Sequence, residues 1–506
     1  MKKTFSILMV CTLLMACASA TDLKLTIGAT PFNAVNNTLT FSIAWNDSWK
    51  ISSGPSNHDA VWIFIKRQAC STTNQWAHAL LSTTSGDHSV TAGTNLLTVV
   101  ATADGMGVFI RRNQNGLGNI GVHTVTLKFN SSSNTNPTIA TTALDNFKVY
   151  GIEMAYVPQG TFFIGDGRSV NTSNFSNGNN ANSPFQITAA IQAAGLGSAS
   201  NYTSSPIYGC PASLPASFPL GYNGFYCMKY EISQGAYCEF LNNLNYDQQY
   251  GRMTVYWGIT RSPNVINARF DNNSGQQDSK ITTVGIYNTT PAIFSSAFWY
   301  KPQGNMMWPD FTAYLDWSGL RPMTEFEFEK ACRGTVNPVP YEYPWGNTLI
   351  TSNGSWNSGN TINETPSTTG EGNSCYAWGN FLRCGCFASS VTNRSQSGAT
   401  YYGILDMGGN AFEQCIGGGN GYDYSTFTDI NGDGVLTSIG NANVANWPTN
   451  GGSNSGTILK GGGCRNLAGG ALDVQVSDRT WYVGNVNDIG NKNSWWEIGG
   501  RGVRSF

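Results

Sequence analysis

Short runs in which apolar and polar residues alternate dominate the first 150 residues of the chain. Clear examples cover 38–45, 61–66, 108–111 and 122–129, and clusters of Gly, Asn and Ser separate them. A period of two residues places alternate side chains on opposite faces of a strand, so each run predicts a strand with one buried face. Because such strands are so frequent, they predict an all-β, sandwich-like domain over residues 21–150.

The chain carries few charges for its length. Only 11% of its 506 residues are Asp, Glu, Lys or Arg, and the net charge is −2, whereas about 25% is usual in soluble domains. Without a basic face, the chain has nothing to attract nucleic acid or an anionic membrane surface. A hydrophobic content of 40% is enough to build large cores and excludes global disorder. The weak charge, together with 58 glycines, is typical of an extracellular bacterial surface protein.

Residues 1–20 have the organisation of a secretory signal. Two lysines at the start precede an apolar run over 5–15, and Ala-Ser-Ala at 18–20 resembles a cleavage site. The segment Leu-Met-Ala-Cys at 14–17 also resembles a lipoprotein box, in which Cys17 would carry a lipid. We therefore expect an exported protein, secreted or held at the cell surface, with a membrane link only through a lipid on Cys17.

The histidines exclude several kinds of active site from the second part of the chain. All four lie before residue 150, and residues 151–506 contain none. That region therefore cannot form a Ser-His-Asp triad, a His-ligated zinc site or a 2-His-1-carboxylate iron site. The four have no ligand-like spacing, so we expect each to be a surface residue: His58, His78, His88 and His123.

The cysteines suggest disulfides without fixing their pairing. Of the twelve, nine lie beyond residue 200, and Cys70 stands alone in the N-terminal part. An exported protein with an even number of cysteines is expected to pair some of them. One hypothesis joins Cys464 to Cys415.

Seven short segments follow one another in the second part of the chain. They read PQGTFFIG (158–165), YEIS (230–233), RPMTEFEFE (321–329), YPWG (343–346), GILDMGGNAFEQ (403–414), KGGGC (460–464) and GVR (502–504). Ser233 is placed to cap a helix over 234–244. Thr324 and Glu327 form a predicted capping box for a helix that Gly334 ends.

Taken in this order, the seven segments resemble the sulfatase-modifying factor (formylglycine-generating enzyme) family over residues 151–506. The resemblance implies a loop-rich, C-type-lectin-like domain with bound calcium, so the expected fold class is α+β with an all-β domain in front. The family's oxidases hold copper between two cysteines that follow the R-G-G-S-W motif and are separated by four residues. This chain has only Cys464, at about the position of that Trp, and no cysteine after it. Copper is therefore not expected, and Cys464 is the only candidate catalytic residue.

A calcium loop is predicted at residues 429–436. Asp429, Asn431 and Asp433 supply oxygens at positions 1, 3 and 5 of an EF-type loop, and Val435 would add a carbonyl. A glycine stands at position 12 instead of the usual Glu, which predicts weak affinity, suited to extracellular calcium. The alternative is an Asx-rich turn without a metal.

The family resemblance implies a second calcium site around the G-N-V-W-E motif. The matching groups in this chain are Gly409, Asn410, Ala411 and Glu413. The alternative is that Glu413 pairs inside the core with a basic residue such as Arg501 or Arg504.

These features predict an exported, calcium-binding protein without catalytic activity, acting in extracellular binding or surface assembly. Long insertions over 166–222, 246–309, 370–399 and 417–457 would recognise an extracellular protein, a glycan or further copies of the chain. One alternative is copper-dependent oxidation of a cysteine to formylglycine in sulfatase-like substrates. The other is carbohydrate binding by four tryptophans that otherwise belong to the core: Trp45, Trp49, Trp62 and Trp76.

Overall fold

The computed structural model describes most of the chain between residues 23 and 505. The described ranges are 23–68, 75–91, 96–130, 145–168, 174–177, 183–190, 196–198, 215–252, 281–284, 293–352, 355–368, 370–376, 380–417, 426–449, 456–464, 470–480 and 497–505. The predicted signal, Cys17 and Cys70 lie outside them.

Strands make up most of the regular structure in these ranges. The first nine are β1 (Lys24–Asn33), β2 (Thr38–Lys50), β3 (Asp59–Gln68), β4 (Trp76–Ala79), β5 (Ser89–Thr91), β6 (Leu97–Ala101), β7 (Val108–Arg112), β8 (Gly116–Lys128) and β9 (Asn146–Val157). The next seven are β10 (Phe162–Ile164), β11 (Phe175–Asn177), β12 (Phe185–Ile187), β13 (Leu196–Ser198), β14 (Phe225–Met228), β15 (Ile281–Val284) and β16 (Ile293–Ser296). The others are β17 (Arg321–Thr324), β18 (Thr351–Ser352), β19 (Trp356–Asn357), β20 (Thr365–Pro366), β21 (Asn373–Ser374), β22 (Phe412–Ile416), β23 (Thr457–Lys460), β24 (Ile498–Gly499) and β25 (Gly502–Ser505).

Helices are few and short in the described part of the chain. They are α1 (Gln234–Leu241), α2 (Tyr246–Arg252), α3 (Trp308–Ser318), α4 (Glu325–Arg333) and α5 (Arg394–Ser397), with 3₁₀ turns at Ser85–Asp87 and Gly470–Val474. None of the helices in the described ranges is long and apolar enough to cross a membrane. The described part of the chain is therefore mostly β with few helices.

The local signals at the helix ends are confirmed. Ser233 caps α1, and its side chain accepts a hydrogen bond from the Ala236 amide at 3.2 Å. At α4, Thr324 Oγ1 accepts from the Glu327 amide at 3.2 Å, and Glu327 Oε2 accepts from the Thr324 amide at 2.9 Å. This is the reciprocal pairing of a capping box.

One large sheet joins the two parts of the chain. Its strands follow the order β23-β22-β17-β25-β14-β9-β3-β7-β6, with β24 beside β22 and β4 beside β3. The strand β9 crosses residue 150, pairing with β3 along one edge and with β14 along the other. The predicted boundary therefore falls inside a strand, and a separate all-β domain over residues 21–150 is not confirmed.

The strand β3 is buried on both faces. A second sheet, in the order β1-β2-β8-β5, lies over one face, where Val61, Ile63 and Ile65 form a core with residues of that sheet. Trp62 and Phe64 point the other way, into a core formed with α1 and α3. The period-two pattern predicted one buried face here, whereas nine of the ten β3 residues are buried.

Tryptophan and histidine side chains before residue 150 also form hydrogen bonds with residues of the second part of the chain. Trp45 and Trp62 are core residues, whereas Trp49 and Trp76 are half-buried. The Trp62 indole donates to the Ser318 carbonyl at 2.8 Å, and His58 Nε2 hydrogen-bonds the Tyr226 hydroxyl at 2.9 Å.

The expectation that all four histidines lie at the surface is wrong. His88 and His123 are each only 7% exposed. Both belong to the strand-rich part, where tertiary packing covers the imidazole ring. His58 and His78 are half-buried.

Replacing Trp62→Ala should destabilise both parts together. The substitution removes a fully buried indole that contacts α3, so the free energy of unfolding should fall by about 3–5 kcal/mol. Urea denaturation followed by near-UV circular dichroism measures this as one shifted transition. Leu117→Ala, at a side chain that is 75% exposed, is the control and should change little. Two separate transitions, with only one of them shifted, would contradict the shared sheet.

Candidate functional site

The thiol of Cys464 is packed against that of Cys375. The two side chains are hydrogen-bonding neighbours in a buried cluster with Cys386, Phe381 and Leu382. Their exposed fractions are 2% for Cys375 and 0% for Cys464. The hypothesis that joined Cys464 to Cys415 is wrong, because Cys415 packs in a different cluster.

Burial raises the pKa of the Cys464 thiol well above its usual value, and the neighbouring Cys375 raises it further. A thiol is a poor nucleophile and a poor metal ligand until it loses its proton. In this folded state, Cys464 is therefore held in its unreactive form at neutral pH.

Asn410 lies at the centre of the predicted second calcium site. Its backbone has a φ of 66°, a left-handed conformation that Asn tolerates better than most residues. Its amide donates to the Cys375 carbonyl at 2.7 Å, and its carbonyl accepts from the Cys464 amide at 2.8 Å. The side-chain oxygen accepts from the Leu382 amide at 3.0 Å, so that oxygen already has a protein partner.

Glu413 pairs with Arg501 inside the core. The Oε1 atom lies 2.7 Å from Nε and 2.6 Å from Nη2 of Arg501, and both side chains are 0% exposed. Burial raises the pKa of Glu413 to about 7, although Arg501 opposes that rise. The structure thus places the Glu413 carboxylate in the ion pair that the sequence left as the alternative.

A buried group that the sequence analysis missed lies beside Asn410. Glu231, Cys384 and Asp406 bring three ligand atoms within 4.8 Å of one another, the one such group of three found in the described ranges. The Cys384 thiol approaches Glu231 Oε2 at 3.6 Å, and burial together with Asp406 raises the pKa of Glu231 well above its usual range. Glu231 and Asp406 come from two of the seven segments, YEIS and GILDMGGNAFEQ. Both segments belong to the ordered set of seven. That was the one feature of the sequence that could have pointed to Glu231 and Asp406 as neighbours.

The hydrogen bonds of this group indicate a structural role for Glu231. Its Oε1 accepts from the Ala411 amide at 2.7 Å, and its Oε2 accepts from the Asn410 side chain at 2.8 Å. Asp406 Oδ2 accepts from the Gly385 amide at 2.5 Å. A cation would compete with these bonds for the same oxygens. The arrangement therefore fixes the turn that carries residues 409–411.

The predicted calcium loop at 429–436 docks onto the end of α3. Asp316 Oδ1 accepts from the Asp433 amide at 2.9 Å, and the Asp316 carbonyl accepts from the Gly434 amide at 3.0 Å. Burial, reinforced by the Asp433 charge, raises the pKa of Asp316 to about 7. Asp316 lies on α3, 117 positions before Asp433 in the sequence, and it is the residue that hydrogen-bonds this loop.

The three loop side chains meet different partners. Asn431 Oδ1 accepts from the Ser505 amide at 3.2 Å, and Asp433 Oδ1 accepts from the Val435 amide at 2.9 Å. Asp429 lines one cavity and Asp433 lines another. The calcium loop at 429–436 stays a prediction, and a cation there would compete with these amides for the oxygens of Asn431 and Asp433.

Two cavities open beside this loop. One, of about 380 Å³, is lined by the 216–225 segment, Arg321, Glu327 and Asp429. The other, of about 320 Å³, is lined by Trp76, Trp317 and several uncharged amide side chains. Both fall at the small end of the range of about 300–1,000 Å³ for ligand sites.

A buried amine lies next to the 320 Å³ cavity. Lys66 Nζ donates to the Trp317 carbonyl at 2.6 Å and contacts His78 Nδ1 at 3.1 Å. Burial lowers the pKa of Lys66 to about 7, with a smaller opposing effect from Asp316. Ionisable groups with such displaced pKa values concentrate at functional sites.

Comparison with known proteins identifies the scaffold. The sulfatase-modifying factor enzyme 1-like domain matches residues 202–477, which are 276 of the 506 residues. The chain belongs to this family. A curated relative, the formylglycine-generating enzyme of Mus musculus, is 26% identical over 149 residues, covering 25% of this chain and 35% of the mouse protein. The match thus spans about a third of that relative's length, and the similarity supports the family rather than the activity.

Replacing Glu413→Gln should separate the ion-pair role from a calcium role. Loss of the carboxylate leaves Arg501 buried without its partner, so the free energy of unfolding should fall by about 3–5 kcal/mol. Chemical denaturation measures the change, with and without calcium. The double variant Glu413→Leu/Arg501→Leu is the control and should lose less, because no charge remains unpaired. A Glu413→Gln protein of normal stability that no longer responds to calcium would contradict the ion-pair role.

Proposed function

We propose that this chain is a non-catalytic member of its family that binds a ligand, or assembles with a partner, outside the cell. In this proposal the family region keeps a C-type-lectin-like scaffold, and the long insertions provide recognition. The partner is an extracellular protein, a glycan or another copy of the chain. Export, with or without a lipid on Cys17, rests on the N-terminal sequence pattern alone.

The burial of the Cys375–Cys464 pair carries this proposal. An oxidase must present thiolates to a substrate cysteine, and these two thiols lie at 2% and 0% exposure within an apolar cluster. The raised pKa of the Cys464 thiol also opposes metal binding, because a thiol must lose its proton to become a good ligand. The sequence offers no cysteine after Cys464, so the residues present do not fit the copper site that the family's oxidases use.

One observation favours the oxidase as a second candidate. A copper oxidase requires a second thiol close to Cys464, and Cys375 supplies one. Two soft thiolates suit Cu(I). For this candidate to hold, the cluster around Phe381 and Leu382 would have to open to admit both the metal and a peptide.

Calcium binding stays within the proposal on sequence grounds. The pattern of Asp429, Asn431 and Asp433 supports it, whereas Glu413 is occupied by Arg501. A site at the 429–436 loop would require Asn431 to exchange its bond to Ser505 for the cation.

The copper alternative is tested by oxidation of a peptide substrate. The purified full chain, supplied with Cu(I) and oxygen, should leave the cysteine of a sulfatase-derived peptide unmodified in mass spectrometry. The mouse formylglycine-generating enzyme serves as the positive control. Conversion to formylglycine that is lost in Cys464→Ser, yet retained in the equally buried Cys415→Ser, would overturn the proposed function.

The calcium proposal is tested by thermal unfolding. For a site with millimolar affinity, 10 mM calcium should stabilise the protein by about 1.4 kcal/mol, seen as a higher Tm. The double variant Asp429→Ala/Asp433→Ala should lose this increase, whereas Glu371→Ala, at another exposed acidic residue, should retain it. Equal increases in all three proteins would show that the loop is not the site.

A further inference from the structure

The 320 Å³ cavity, called here the Trp76 cavity, is built from segments of both parts of the chain. Strand β4 contributes Trp76 and His78, and the turn after α1 contributes Asn243 and Asn245. The end of α3 and the 433–436 segment close the other side. Leu244 and Trp317 belong to one buried core, so the cavity lies where packed elements of the fold meet.

The lining combines apolar side chains with polar groups that are almost all uncharged. Asp433 is the single carboxylate among the residues that line the Trp76 cavity, and none of them is Lys or Arg. Burial and the neighbouring Lys66 lower the pKa of His78 well below its usual value, so its ring is neutral at physiological pH. Lys66 itself is turned to the Trp317 carbonyl. The lining residues themselves therefore offer no cation, and the Asp433 carboxylate would repel an anion.

Side-chain amides recur around the Trp76 cavity. The residues that supply them are Gln75, Asn243, Asn245 and Gln248. An amide carries both hydrogen-bond donors and an acceptor, and a hydroxyl group also donates and accepts. A ligand rich in hydroxyl groups therefore matches this lining without needing a charge.

The rim adds an aromatic surface and fixed amides. Trp76 is half-buried, with Lys148 Nζ 4.7 Å from its ring centroid. Gln248 is held by the Asn245 amide at 3.2 Å and by its own bond to the Thr437 carbonyl at 3.1 Å. An indole beside prepositioned amides suits a ligand with an apolar face and hydroxyl edges.

From this lining we infer that the Trp76 cavity binds a neutral saccharide of one or two rings. The inference rests on the proposed binding function and names its ligand class. The indole of Trp76 would cover one face of the ring, and Asp433 and the amides would bind hydroxyl groups at its edge.

Isothermal titration calorimetry of the full chain tests the inference with glucose, galactose, N-acetylglucosamine and maltose, and with glucuronate as an anionic comparison. At least one neutral sugar should bind more tightly than glucuronate. Trp76→Ala should weaken that binding about tenfold or more. Trp49→Ala is the matched control, because Trp49 is also half-buried and has a lysine 5.2 Å from its ring, yet lies outside the cavity. It should leave the affinity unchanged.

A second variant keeps the test valid if Trp76→Ala unfolds. Val435 lines the cavity with 55% of its surface exposed, so Val435→Trp should fold and obstruct the cavity, with a similar loss of binding. Lack of heat with all four neutral sugars, tighter binding of glucuronate, or unchanged binding by the variants would overturn the inference. Failure of the inference can be distinguished from failure of the proposed function. The proposed function fails if the chain forms formylglycine in the peptide assay, and that result does not depend on the sugar titrations.

Discussion

The burial of β3 on both faces is the constraint on which the rest of the structure depends. Its odd-numbered residues pack beneath the β1-β2-β8-β5 sheet, and its even-numbered residues pack against α1 and α3. A strand in this position cannot be released from one core without exposing the other. The N-terminal strands therefore act as a structural part of the family domain, and the Trp76 cavity exists because both parts share this strand.

Many of the few charged side chains of this protein are buried, and several of them form ion pairs in its interior. Arg333 pairs with Glu329 and Glu342, Arg479 with Glu325, and Arg321 with Glu327, all with side chains no more than 2% exposed. Breaking one member of such a pair is costly because the other is left buried and charged. The low charge content and the buried ion pairs together account for a surface on which uncharged polar groups predominate, which suits recognition by hydrogen bonds rather than by long-range attraction.

Local sequence signals predicted the helix ends correctly. They did not predict contacts between residues that are far apart in the sequence. Ser233 and the Thr324–Glu327 box act within four residues, so the sequence alone was sufficient to place α1 and α4. The partner of Glu413 is 88 positions away, and the sequence could name Arg501 only as an alternative. The same limit applies at 429–436, where the oxygen pattern predicted calcium but could not reveal that Asn431 binds the backbone of Ser505. Residues 61–65 are all apolar, so the run interpreted as an alternating strand over 61–66 already carried a signal of burial on both faces.

The position of β25 has a consequence for the order of folding. This strand, at residues 502–505, lies between β14 and β17 in the middle of the large sheet. The strands β14 and β17, which begin at residues 225 and 321, are therefore held together through a segment that the ribosome makes after both of them. Until that segment arrives, β14 and β17 present unpaired edges, which favour aggregation. The large sheet can therefore be completed only after residues 502–505 have been made, however early its other strands form.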